Sequence, residues 1–135
     1  MRQAIMIYAT GLVSFVALDA VWLGLMVPRL YKPALGDLVA QPFQPLPAVA
    51  FYLIYGVGLA VFAITPALSA GKLTTAFFFG ALFGLVAYAT YDLTNQATLR
   101  GWPAIITVVD LAWGTFGSAL AASIAYLVLS RWYAA

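Results

Sequence analysis

The sequence predicts an all-α integral membrane protein, a four-helix bundle of up-down-up-down topology with a Pro-rich connection between spans one and two. Three observations predict it. Of the 135 residues, 65% are hydrophobic and only 7% are charged, against about 25% charged residues in a soluble domain. Apolar stretches over about 4–27, 48–68, 73–98 and 104–129 are each long enough to cross a hydrocarbon core of about 30 Å. The turns after the second and third stretches are short, which makes successive helices antiparallel neighbours. Residues 1–135 then form a single transmembrane domain with no room for a soluble one.

Span one, from about Ala4, could pass for a signal peptide because Met1-Arg2-Gln3 precedes an apolar run. The run is long, contains Asp19 and Trp22, and lacks a small-residue cleavage site, so a retained span is expected. Pro28 should end it, because proline disfavours helix in the residue before it and removes a ladder donor. The following connection to about Leu46 contains Pro28, Pro33, Pro42 and Pro45. A short helix over Ala34–Ala40 is expected there, with Tyr31, Leu35 and Leu38 giving an apolar side that can lie along the interface. Asp37 reads as a solvated loop residue.

Span two carries no charge, and Tyr52 and Tyr55 read as packing residues. Pro66 should close or kink its far end, before the turn Ser69-Ala70-Gly71-Lys72. Span three places Gly80, Gly84, Tyr88 and Asp92 on one helical line at four-residue steps. Its first half is small enough for another helix to approach closely, and its second half is polar. Arg100-Gly101-Trp102-Pro103 makes the next turn, with Trp102 suited to a headgroup-level anchor. Span four carries Asp110, Gly114, Gly117 or Ser118, Ala121 and Ala125 on one face, and ends on Arg131-Trp132-Tyr133.

Composition excludes much. The net charge of +2 comes from 6 basic and 4 acidic residues, too few for a nucleic-acid surface. The absence of Cys and His removes thiol nucleophiles, the usual zinc sites and Ser-His triads. No metal set and no cofactor is indicated. Acid–base work falls to Asp, Tyr and the cations.

The acids mark the one place where chemistry or binding is expected. Asp19 and Asp92 stand 8 and 6 residues before the ends of their spans, and Asp110 stands 6 after the start of its own. All three should lie about 9–12 Å below the same membrane surface. An Asp at the centre of a membrane helix costs about 2.5–3.5 kcal/mol, so these should face the bundle interior, paired or protonated. Asp19-Ala20-Val21-Trp22 is echoed by Asp110-Leu111-Ala112-Trp113, each with the indole one turn from the acid. In span three Asn95 takes the place of the indole. Arg29, Lys32 and Arg100 are the cations on that side, and Arg100 can snorkel toward Asp92. The expected binding set is Asp19, Trp22, Tyr88, Tyr91, Asp92, Asn95, Arg100, Asp110 and Trp113. A purely structural role remains open for each acid, since Tyr, Trp and Asn neighbours can hold a buried carboxyl in place. Basic residues tie across the membrane, with Arg2, Lys72 and Arg131 against Arg29, Lys32 and Arg100, so orientation is not read from charge.

These residues carry a resemblance. Leu18-Asp19-Ala20-Val21-Trp22-Leu23-Gly24, Tyr88-Ala89-Thr90-Tyr91-Asp92-Leu93-Thr94-Asn95, Thr98-Leu99-Arg100-Gly101-Trp102-Pro103 and Val109-Asp110-Leu111-Ala112-Trp113-Gly114 resemble a bacterial membrane-protein family, domain of unknown function 2177. The resemblance implies four spans, multi-pass insertion in the bacterial inner (cytoplasmic) membrane and a setting near fatty-acyl modification. It implies no particular activity.

Three functional classes fit the residues. The first is a small membrane protein whose acidic, aromatic site binds or transports a cation, protons or a lipophilic small molecule. The second is an integral membrane enzyme or accessory factor in lipid or fatty-acyl modification, although the paired Asp that would hold Mg²⁺ against a phosphate is present only as Asp92 and Asn95. The third is an accessory subunit of a membrane complex. Expected partners are the lipid bilayer, a lipophilic or cationic ligand, and a second copy through Gly80, Gly84, Gly114 and Gly117.

Overall fold

The computed structural model describes residues 1–133. Four helices are long and apolar enough to cross a membrane: α1 (Arg2–Leu38), α2 (Pro45–Ala70), α3 (Leu73–Thr98) and α4 (Ala104–Tyr133). They form an antiparallel ring in which α1 packs on α2 and α4, α4 packs along the whole of α3, and the lower part of α2 closes onto α3. "Upper" here denotes the side of Arg29 and Arg100. Exposed side chains such as Val13, Ile54, Phe78, Leu82, Val108 and Phe116 form the outer surface. In water so much apolar surface would drive association, whereas in a bilayer it is the solvated face.

Pro28 does not end the first helix. The chain widens into a π turn over Val27–Tyr31, where the Lys32 N–H reaches back to the Val27 carbonyl. The helix then continues through Lys32–Leu35 and a 3₁₀ turn Gly36–Leu38. An inserted residue of this kind absorbs the missing donor and the ring clash that would stop an α-helix. The separate helix expected at Ala34–Ala40 is therefore the tail of α1, and the Pro-rich connection shrinks to Val39–Gln44. At 37 residues, α1 is about 55 Å long, more than the core requires.

Pro66 is accommodated in the same way. A π turn over Ala60–Ile64 precedes it, and the helix resumes to Ala70. Gly71, at φ 64, ends it in the left-handed conformation that glycine adopts without a Cβ penalty. Ala60, Ala63 and Ile64 are buried where α2 meets the other three helices. Above this point α2 leans toward α1 and scarcely touches α3, so a gap opens between the upper halves of α2 and α3.

The α3–α4 seam explains most of what lies at the site. Opposed residues step down it four at a time: Asp92 faces Asp110, Tyr88 lies on Gly114, Gly84 faces Ser118 and Gly80 faces Ala122. A Cβ on Gly80 would come 2.7 Å from the Ser118 carbonyl oxygen and 2.9 Å from the Ala122 Cβ. One on Gly84 would fall onto the Gly114 carbonyl oxygen. The backbones approach this closely only because both faces are small. Gly80, Gly84, Gly114 and Gly117 are all buried inside the chain.

A buried acidic and aromatic candidate site

Asp19, Asp92 and Asp110 converge at the upper end of the bundle, 5%, 0% and 8% exposed respectively. They occupy two levels rather than one. Because α1 and α4 are antiparallel, the two Asp-x-x-Trp segments meet head to tail, and each indole is directed to the level of the other helix's acid. On the lower level Trp113 Nε1 donates to Asp19 Oδ1 at 2.9 Å, and the Tyr52 hydroxyl donates to Asp19 Oδ2. On the upper level the corresponding bond is interrupted: Trp22 Nε1 donates to the Tyr31 hydroxyl at 3.2 Å, and Tyr31 in turn donates to Asp110 Oδ1. The two indoles stack between the levels, their centroids 4.7 Å apart and their planes 2° from parallel, a favourable aromatic geometry. Gly117 makes the stack possible, since a Cβ there would come 2.9 Å from the Trp113 ring.

Asp92 is treated differently. Its carboxyl lies within hydrogen-bonding reach of the Asp110 carboxyl, yet two carboxylates are both acceptors. Without a proton between them, neither Asp92 oxygen has a partner, although both are fully buried. A buried unpaired charge is among the costliest features a fold can hold.

A cavity of about 380 Å³ occupies the gap between α2 and α3, lined by Phe51, Ala87, Tyr88, Tyr91 and Asp110. Phe51 and Tyr91 stand at its outer edge, 41% and 58% exposed, and Asp110 is the one acid among its lining residues. The Tyr88 ring sits on Gly114 and meets Tyr55 edge-on, with centroids 6.1 Å apart. Tyr55 is anchored by Ser118 through their hydroxyls. Tyr91 packs edge-on against Trp102 at 5.9 Å, and Trp102 donates to Thr107. A larger groove, about 740 Å³, runs between the first turns of α1 and the last of α2. It contains no acid and lies at the opposite end of the bundle.

The expected binding residues thus separate into two groups. Asp19, Trp22, Tyr88, Asp92, Asp110 and Trp113 are brought together, and Tyr91 borders the cavity. Asn95 is half-buried and Arg100 exposed, and neither donates a hydrogen bond to the Asp92 carboxyl. The snorkelling expected of Arg100 is absent because it lies in the turn beyond the end of α3, where solvent is nearer than the carboxyl. Two residues join that had not been expected. Tyr52 stands about 10 Å inside α2 because the helix starts at Pro45, whereas counted from position 48 it lies only about 6 Å deep, outside the layer that singled out the acids. Tyr31 carried no signal either, because the continuation of α1 through Pro28 depends on a turn that sequence does not announce.

No curated protein and no solved structure matches this chain. A family described as "Predicted membrane protein (DUF2177)" matches residues 4–127. That span includes both Asp-x-x-Trp segments and all three buried acids, and the chain belongs to this family of multi-pass membrane proteins.

Proposed function

We propose that the chain is a binding protein for membrane-dissolved amphiphiles with an ammonium head, taken up between α2 and α3 and held at Asp110 and Asp92. One observation carries this reading: Asp92 presents two fully buried acceptor oxygens with no donor, beside an acid that lines a largely aromatic cavity. A ligand bringing N–H donors and positive charge supplies what the fold leaves out. Arg29, Lys32 and Arg100 are all exposed, so the acids lack an internal counter-ion. Phe51, Tyr88 and Tyr91 offer ring faces suited to an organic cation. The cavity volume is in the range that admits a small-molecule head, about 300–1,000 Å³. Its position between two spans favours entry from lipid. The proposed setting is the bacterial cytoplasmic membrane, where multi-pass proteins are helical rather than barrels.

Dodecylamine binding to the protein in lipid nanodiscs, with empty nanodiscs as baseline, tests the proposal. Saturable binding of the amine is expected, with at least about tenfold weaker binding of dodecanol and dodecanoate and of the amine to Asp92→Asn. Equal retention of all three probes, or an unchanged Asp92→Asn, overturns it.

A further inference from the structure

We infer that ligand uptake at this site is an exchange of one ammonium for one proton, with Asp92 as the group that holds the proton when the site is empty. The inference rests on the binding site proposed above and adds a coupled ion to it. The argument follows the supply of donors around the three acids. Asp19 accepts on both oxygens, from Trp113 and Tyr52, and Asp110 accepts from Tyr31. Asp92 accepts from nothing, so a proton placed on it converts its one polar contact, with Asp110, from a repulsion into an O–H···O bond. The same proton gives Asp110 a second donor beside Tyr31. A proton on Asp19 would compete with two donors already in position. A proton on Asp110 would bridge the same pair, but the Tyr31 hydroxyl already stabilises charge on Asp110 and nothing does so on Asp92, so the charge rests on Asp110 and the proton on Asp92.

The groups that face this pair are few. From α4 there is Asp110 itself, from α1 Asp19 and Tyr31, from α2 Tyr52 and Tyr55, and from α3 Tyr88 and Tyr91. None is a cation, so no internal positive charge takes the place of the proton. The exchange balances. The empty site holds a neutral Asp92 carboxyl and ionised Asp110. An arriving R–NH₃⁺ takes up hydrogen bonds to both carboxylates as the Asp92 O–H bond breaks and its proton leaves to water. The net charge of the site is the same before and after, so the low-dielectric interior never gains a charge.

The test uses the intact protein in nanodiscs. Calorimetric titration with dodecylamine, in buffers of different ionisation enthalpy, reads the protons released per amine bound. About one is expected, with affinity rising about tenfold per pH unit while the empty site holds its proton. Infrared spectra of the empty wild-type protein should contain a protonated carboxylic acid band that disappears on amine binding and is missing from Asp92→Asn. Amine binding with no proton release overturns the exchange while leaving the binding site standing, and so does an empty wild-type protein without the band. A band that persists in Asp92→Asn overturns the assignment to Asp92. Failure of the amine to bind at all overturns the binding reading and the exchange with it.

Discussion

The two faces of α4 handle buried carboxylates in opposite ways. Toward α1, the seam is built of aromatic side chains, and every acid on it receives a donor: Trp113 and Tyr52 on Asp19, and Tyr31 on Asp110. Toward α3, the seam below Tyr88 is built of glycine, serine and alanine, and the acid at its upper end receives none. The difference follows from packing. Large rings hold helices apart and carry N–H and O–H groups into the space between them. Small residues bring backbones together and offer no donor to the acid above them, and the one large ring on this seam, Tyr88, packs over Gly114 and against Tyr55 without donating to Asp92. A close-packed seam that ends in two facing acids therefore creates an unsatisfied site as a direct result of its own tightness.

The largest effect should come from opening the tight seam. Gly84→Leu forces a side chain onto the Gly114 carbonyl, and unfolding in mixed micelles should show a loss of about 3 kcal/mol or more. Next is the satisfied acid. Asp19→Leu strands the Tyr52 hydroxyl and the Trp113 N–H in the interior, with an expected loss of about 2 kcal/mol in the same assay. The unsatisfied acid should respond with the opposite sign. Asp92→Leu replaces a buried carboxyl that accepts from no protein donor and whose one polar contact is Asp110, and it should raise stability by about 1 kcal/mol, while abolishing amine binding. The smallest change is Tyr31→Phe, which removes one donor from Asp110 and one acceptor from Trp22. A loss of about 1 kcal/mol, with an altered near-ultraviolet circular dichroism signal from the Trp22–Trp113 stack, is expected. Equal losses for Asp19→Leu and Asp92→Leu would remove the distinction between the two faces.

The sequence made much of this legible, and for identifiable reasons. Four apolar stretches and two short turns are enough to predict the bundle, because lipid leaves a chain of this composition few alternatives. The four-residue line Gly80, Gly84, Tyr88, Asp92 and its counterpart through Asp110 and Gly114 anticipate the α3–α4 seam, since helical periodicity assigns them to one face. What the line does not disclose is its partner. The same small residues suit a second copy equally well, and only the fold reveals that α4 already fills that face. The two levels of the acids were not legible either. Depth counted from span ends is blurred by where each helix stops, and Pro28 misplaces the end of α1. That misplacement also hid Tyr31, whose hydroxyl reaches Asp110 only because a π turn carries the helix onward.

The most direct test of the central claim is a single measurement made on two proteins: the unfolding free energy of wild type and of Asp92→Leu, each with and without dodecylamine. Ligand that binds only the folded state stabilises it in proportion to the logarithm of its occupancy, about 2.7 kcal/mol at a hundredfold excess over Kd. The account predicts that wild type gains stability with the amine, and that Asp92→Leu begins more stable and gains nothing. A variant that begins less stable than wild type, or one that is still stabilised by the amine, contradicts it.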